Sequence, residues 1–391
     1  MIPLMKNAFF HELETKKALA EFVMSAERLS MSAKCAEFEH VFAKKQGRKD
    51  AVLFNSGGSA NLALLQALKN LGHLKTGDPV GFSALTWSTN IMPIIQLGLT
   101  PVAVDCEPDT LNVMSHNLLD RLNATELKAL FITNVLGFTG DLDEIRRICA
   151  ERKILLLEDN CESLGSELTA GKAGNFSLGS TFSFFVAHHM STIEGGMVCT
   201  DDEYLSEMLR IVRANGWDRN LTGQQQVKWR KKFGIQNEFE AKYAFYDLGF
   251  NLRPTEITGF LGLLQLGYLD ENIAIRESNY LRLEILIEGN PDLITLRRNH
   301  IKRLSPFALP IVCRSPELRA TYLSRFAGDG IEIRPMIAGN MQRQPFYQKY
   351  AAINYELPGA DFIHQCGFYS GLYPELTEID LESISSCLIK Y

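Results

Sequence analysis

The stretch between Lys172 and Lys228 holds no lysine, although lysine and arginine together number 40 in the chain. The eight cysteines, Cys35, Cys106, Cys149, Cys161, Cys199, Cys313, Cys366 and Cys387, include no C-x-C or C-x-x-C pair. That scatter argues for reduced, mostly buried thiols and against a disulfide framework or a zinc site. No apolar run approaches the length of a bilayer. The opening Met1-Ile2-Pro3-Leu4-Met5-Lys6 lacks the charged and apolar regions of a secretory signal. The chain therefore reads as cytoplasmic, with no membrane partner. Long basic runs are missing too. Lys44-Lys45 and Arg230-Lys231-Lys232 are short clusters that read as solvated surface, and a formal net charge of −6 gives no reason to expect nucleic acid. There is no internal repeat and no low-complexity linker.

What is present is an ordinary globular composition, 46% hydrophobic and 22% charged, over 391 residues, enough for one large and one smaller domain. A helical run over 33–46 precedes a short strand at 51–54 and a Gly/Ser turn. Further apolar strands are predicted at 80–82, 101–104, 129–133, 154–157, 181–184 and 197–199, with helical patterns such as 59–71 and 142–152 between them. Such alternation predicts an α/β fold with a large, mostly parallel sheet covered on both faces. After Asn251-Leu252-Arg253-Pro254 the pattern changes. Proline at a helix start, then Ile257, Leu261, Leu264 and Tyr268 at helical spacing, predicts a long helix toward Glu288. Strands at 307–312 and 330–333, a helix near 317–326 and a last helix over 380–389 predict a smaller α+β domain. The division expected is a large domain over 1–254 and a small one over 255–391.

Four segments carry candidate chemistry. Asn55-Ser56-Gly57-Gly58-Ser59-Ala60-Asn61 joins a strand to a helix. Glycine lets backbone amides approach an anion closely, and a helix N-terminus adds a favourable dipole, so this turn suits a phosphate. Taken alone it is more often an ordinary strand–helix turn. Trp87 follows a strand end, where an aromatic is more often core than a platform for a bound ring. Leu155-Leu156-Leu157-Glu158-Asp159-Asn160-Cys161-Glu162 is an apolar strand running into acids, a pattern that also serves as a helix cap. Lastly, Ser183-Phe184-Phe185-Val186-Ala187-His188-His189 leads to Glu194-Gly195-Gly196. By itself a His-His pair is more often structural than catalytic.

In their order and spacing these segments resemble the sugar aminotransferase and dehydratase family of fold type I pyridoxal-phosphate (PLP) enzymes, from about Leu29 to the C-terminus. Leu29-Ser30-Met31, Ala84-Leu85-Thr86-Trp87-Ser88-Thr89 and Ala338-Gly339-Asn340 with Arg343-Gln344-Pro345 belong to the same resemblance. It implies that Gly57, Gly58, Ser59 and Ser183 form a phosphate cup and that Trp87 stacks on the pyridine. It implies further that Asp159 pairs with the pyridine nitrogen and Glu162 reaches the ring hydroxyl. Asn251, in Gly249-Phe250-Asn251-Leu252-Arg253, would reach the phosphate of a neighbouring subunit, which makes the active site composite and a homodimer obligatory. Phe185, Arg219 and Arg334 are candidates for the substrate, the arginines because guanidinium pairs bidentately with a diphosphate.

Five residues after the serine the family places the lysine that bonds covalently to the cofactor. Here His188 stands there, and imidazole has no primary amine. Within the family, histidine at this position marks the sugar 3-dehydratases. The resemblance thus implies PLP and pyridoxamine phosphate (PMP) held without a covalent link, His188 as acid and base, and loss of the C3 hydroxyl from a nucleotide-linked 4-keto-6-deoxyhexose, GDP-4-keto-6-deoxymannose foremost. L-Glutamate would restore the amine. Histidine suits both proton transfers because its ordinary pKa is about 6.5. Two other enzyme readings stay open: a nucleotide-sugar aminotransferase, and a dehydratase acting on a CDP-sugar with an iron–sulfur cluster. The cluster reading needs converging thiolates that the cysteine spacing does not supply. A catalytically silent partner subunit is the reading from another class.

Overall fold

Short runs rich in Val, Ile, Leu, Phe and Ala become the strands of one seven-stranded sheet. They are β1 (Asp50–Phe54), β2 (Pro79–Ser83), β3 (Thr100–Val104), β4 (Ala129–Thr133), β5 (Leu155–Asp159), β6 (Gly179–Ser183) and β7 (Gly196–Thr200). This computed structural model describes residues 1–351 and 353–390; Ala352 and Tyr391, inside the span expected for the small domain, lie outside them. Across the sheet the order is β1-β7-β6-β5-β4-β2-β3. Strand β7 runs antiparallel to both of its neighbours, and the other pairings are parallel. Every residue of β4, β6 and β7 is buried, as strands covered on both faces require.

Two helices show how the faces are filled. Successive residues of β7 point to opposite cores: Met197 and Cys199 join Phe38 and Phe42 of α1 (Ala33–Gln46), while Val198 joins Ala60 and Leu64 of α2 (Gly57–Asn70). Phe38 and Phe42 lie one helical turn apart, and Phe42 packs edge-on against both Phe182 and Phe184 with ring centres 5.3 Å away. Two further helices, α3 (Ser88–Gln96) and α4 (Leu142–Arg152), follow β2 and β4.

The long helix predicted after Pro254 is α5 (Glu256–Glu288), 33 residues with Thr255 as its N-cap. Its first residue also caps another helix. The Glu256 carboxylate accepts from the backbone amides of Ser32 at 2.6 Å, Lys34 at 2.9 Å and Cys35 at 3.2 Å, satisfying orphan donors at the start of α1. Helix α5 lies so close to α1 that a methyl group on Gly262 would sit 2.4 Å from the Phe38 ring. Beyond it come β8 (Ala308–Val312), α6 (Pro316–Gly328), β9 (Ile333–Pro335), β10 (Gly367–Gly371) and α7 (Glu378–Leu388). The three strands form a separate antiparallel sheet in the order β8-β10-β9.

The strand expected at 330–333 forms later, at Ile333–Pro335. Gly330, at φ +68, closes the turn after α6, and Ile331 pairs with Ile2 instead. The strand at β10 and a helix at Glu12–Ser25 were not predicted. Gly-Phe-Tyr-Ser-Gly lacks an apolar alternation, and the early helix buries only Thr15.

Candidate active site

At the C-terminal ends of β1, β5 and β6 lies a cleft of about 430 Å³. One end of it is a turn poor in side chains. Ser56 Oγ accepts from the backbone N–H of Ser59 at 3.1 Å and caps α2, whose first residues Gly57 and Gly58 line the cleft with Ser56 and Ser183. A methyl on Gly57 would lie 2.6 Å from Ser183 Cβ and 3.2 Å from Cys161 Sγ, so only glycine lets the helix start beside β6. Gly196 has a matching duty, since a methyl there would meet the Ser56 carbonyl oxygen at 2.2 Å. The result is a concave, amide-rich helix N-terminus beside a hydroxyl, an arrangement that attracts anions. Ser59 itself does not line the cleft; its Oγ accepts from the Ser56 hydroxyl at 2.9 Å.

The floor is acidic. The pleat of β5 sends Glu158 and Asp159 to opposite faces. Glu158 is buried away from the cleft, accepting from Gly174 N at 2.8 Å and Phe176 N at 2.9 Å. Asp159 enters the cleft, with Oδ2 accepting from Asn61 at 3.0 Å and Asn90 at 2.7 Å and Oδ1 from the Cys161 amide at 2.9 Å. These contacts fix its direction. Glu162 lies on the same wall and accepts from Leu136 N at 3.0 Å. Burial, helped by the charge of Asp159, pushes its carboxyl up to about 8, so it is largely protonated at neutral pH.

Opposite these acids stands His188. Its backbone N–H donates to Phe185 O at 2.9 Å in a tight turn, and its ring meets Phe307 edge-on at 5.2 Å and Phe185 at 6.2 Å. Burial, and then the charge of Arg276, pull its pKa down to about 4, which leaves a neutral imidazole at neutral pH. Its Nδ1 has no hydrogen-bond partner among the described residues. His189 turns away from the cleft and its Nε2 lies 3.0 Å from Ser305 O, a structural contact. No lysine lines the cleft among the described residues.

Trp87 and Phe185 also line the cleft and keep 55% and 42% of their surface exposed, so each has a ring face free to meet a bound group. Of the remaining predicted residues, none lines this cleft. Asn251 is exposed, its Oδ1 accepting from Arg253 Nε at 3.0 Å. Arg219 lays its guanidinium over the Trp217 ring at 5.2 Å. Arg334 is tied to Glu332 at the surface, yet on β9 it pairs directly with Tyr369 of β10, which does line the cleft. Sequence reasoning missed Tyr369, Phe307 and Ile337, which reach the cleft from the C-terminal half, and Thr89, Asn90 and Thr133. For Thr89 and Asn90 a signal existed, since they open α3 directly after Trp87.

The model of the DegT/DnrJ/EryC1/StrS aminotransferase family matches residues 11–389. The chain belongs to this family. Among its DegT-family relatives, GDP-4-keto-6-deoxy-D-mannose 3-dehydratase of Yersinia pseudotuberculosis is 34% identical over 356 residues, covering 89% of each chain. The Escherichia coli GDP-4-keto-6-deoxy-D-mannose-3-dehydratase with bound hydrated PLP superposes with a TM-score of 0.90 at 31% identity, over 99% of both chains. A GDP-4-keto-6-deoxymannose-3-dehydratase with a trapped PLP-glutamate geminal diamine gives a TM-score of 0.89 at 30% identity, over 99% of this chain and 100% of that one. The DegT-family architecture here is thus fold type I of the PLP enzymes, a large mixed sheet with a smaller α+β part.

Proposed function

We propose that this chain is a PLP/PMP-dependent 3-dehydratase acting on a nucleotide-linked 4-keto-6-deoxyhexose, with GDP-4-keto-6-deoxymannose as the first substrate to try. The observation that carries this reading is His188, a half-buried, neutral imidazole in a cleft that no lysine lines among the described residues. An aminotransferase needs an amine there, and a silent copy has no use for the rest of the constellation.

The cleft fits a phosphorylated pyridine on three counts. The glycine turn with Ser56 and Ser183 makes a cup, which forms only because Gly57 has no Cβ to collide with Ser183 and Cys161. Asp159 sits deep in the cleft with three donors aiming it, suited to hold a ring nitrogen cationic. Trp87 offers a half-exposed indole at the cleft. When bound, pyridoxamine phosphate supplies an amine for the 4-keto group and a ring that takes up an electron pair.

The rest of the work falls to side chains. His188, neutral, would take the proton released by the carbon that bears the cofactor's amine and pass it to the hydroxyl leaving sugar carbon 3. Glu162, protonated below about 8, donates to the ring hydroxyl. Phe185, which lines the cleft, is the candidate for the sugar wall, and Arg334, paired with Tyr369 across the small sheet, is the candidate for a diphosphate. L-Glutamate restores the amine in a transamination half-reaction. The chain works in the cytoplasm as a homodimer in which Asn251, away from its own cleft, serves the partner's site, and Arg219 is a second candidate for the diphosphate.

The test uses purified protein with PLP, glutamate and a panel of GDP-, CDP- and dTDP-linked 4-keto-6-deoxy sugars. Ammonia release with a product one oxygen lighter is expected. A product that gains nitrogen instead overturns the reading in favour of amino transfer.

A further inference from the structure

His188 lines a second, smaller cavity besides the cleft, shared with His189, Gln265, Asn272, Arg276 and Glu375. Arg276 stands near the middle of α5 and is only 4% exposed. Its guanidinium makes no ion pair with a carboxylate among the described residues, and burial pulls its pKa down to about 10. Instead it donates from Nε to Asn272 Oδ1 at 2.7 Å, and from Nη1 to Phe307 O at 2.8 Å and Leu372 O at 2.5 Å. A buried guanidinium held by backbone carbonyls is a costly choice for stability alone. Its contacts point elsewhere. Phe307, whose carbonyl it grips, presses its ring against both His188 at 5.2 Å and His189 at 6.1 Å.

We propose that Arg276 is a positioning residue for His188: through the Phe307 carbonyl it locks the ring on which the imidazole rests, and it presents a fixed positive charge to that imidazole. The proposal rests on the role given to His188 above. Asp159, Glu162 and Glu194 share the cleft with His188, and Glu375 and His189 share the smaller cavity. Among these neighbours Arg276 supplies the charge that acts on His188, in the same direction as burial. A base that must be unprotonated before each proton transfer gains from a cation that cannot itself give up its proton at neutral pH.

Two kinds of readout separate this role from a merely structural one. In the cofactor-free protein the titration of His188 is followed by NMR of labelled histidine, assigned by loss of the signal in His188→Asn. Arg276→Gln, which keeps a hydrogen-bonding head without the charge, is expected to raise the midpoint toward the ordinary value of about 6.5. Arg276→Lys, which keeps the charge, leaves it near that of the parent. In the loaded protein the glutamate half-reaction is followed by the change in cofactor absorbance. Both variants, and Phe307→Leu, which keeps the carbonyl and removes the ring, slow it about tenfold at unchanged KM for glutamate. In Arg276→Gln alone the acid limb of the pH profile also moves to higher pH. An unmoved midpoint in folded Arg276→Gln overturns the electrostatic half. A Phe307→Leu variant as fast as the parent overturns the positioning half. Neither readout uses the sugar, so a failed dehydration assay and a failed role for Arg276 are told apart.

Discussion

Position 188 separates two chemistries at the scale of a single side chain. His188→Lys puts a primary amine at this position, and the variant is expected to bond covalently to PLP and to lose dehydration by at least about a hundredfold. Borohydride trapping with mass spectrometry, alongside the product assay, checks it. A variant that dehydrates as fast as the parent refutes the proton-carrier role. The pH profile of the parent follows from two groups: activity requires His188 neutral, above about 4, and Glu162 protonated, below about 8, so the rate should form a broad plateau between these values. Glu162 also couples pH to stability. Its folded pKa is raised, so its contribution is full below the unfolded value of about 4.3 and is lost as pH rises through about 8. Glu162→Gln should therefore flatten the fall in melting temperature between about pH 4 and about pH 8. A loss as steep as the parent's assigns that slope to another group. That His188, Asp159 and Glu162 would line one cleft was legible because each stands in a motif with fixed neighbours. Arg276 was not, because nothing in a helical stretch announces which residue will meet a carbonyl 31 positions away.

Among the elements, the strands were legible where one apolar run is buried on both faces, as in β4 over 129–133, predicted to the residue. Helices α1 and α4 were likewise predicted to the residue, because their apolar spacing repeats over three turns. The small sheet was harder. Strand β10 carries Tyr369 into the cleft, yet it lies between two glycines and becomes a strand only because β8 and β9 flank it. Tertiary pairing overrides local pattern there. The join between α1 and α5 gives a test at this scale. Glu256→Ala leaves amides at the start of α1 without an acceptor and should lower the stability of the protein by about 2 kcal/mol in a denaturant titration. An unchanged midpoint shows that water replaces the carboxylate. The same change should leave the half-reaction rate intact, since α1 does not line the cleft.

For the whole molecule, the reading of Asn251 as a residue that serves a partner makes a quantitative forecast. An inactive His188→Asn chain and an inactive Asn251→Asp chain, refolded together in equal amounts, form mixed dimers with one intact site each. Activity should return to about a quarter of the parent value, since half of the dimers are mixed and each has one working site of two. Mixtures that stay inactive show that each cleft is complete within its own chain. The alternation of strands and helices predicted the large sheet. What it left out is which distant residues close the cleft, because Phe307, Ile337 and Tyr369 reach it from the C-terminal half, far along the chain from the motifs.

Strand β7, the reversed member of the sheet, has one more consequence. Residues 184–195 leave through β6 and return through β7 right beside it, and Gly196 abuts the Ser56 carbonyl. Both ends of this excursion are thus clamped to the anion cup, whatever residue stands at its tip. The histidine is mounted in a socket with a rigid rim. Evolution, or a protein engineer, can swap the tool held there and change the reaction without loosening the grip on what it works with.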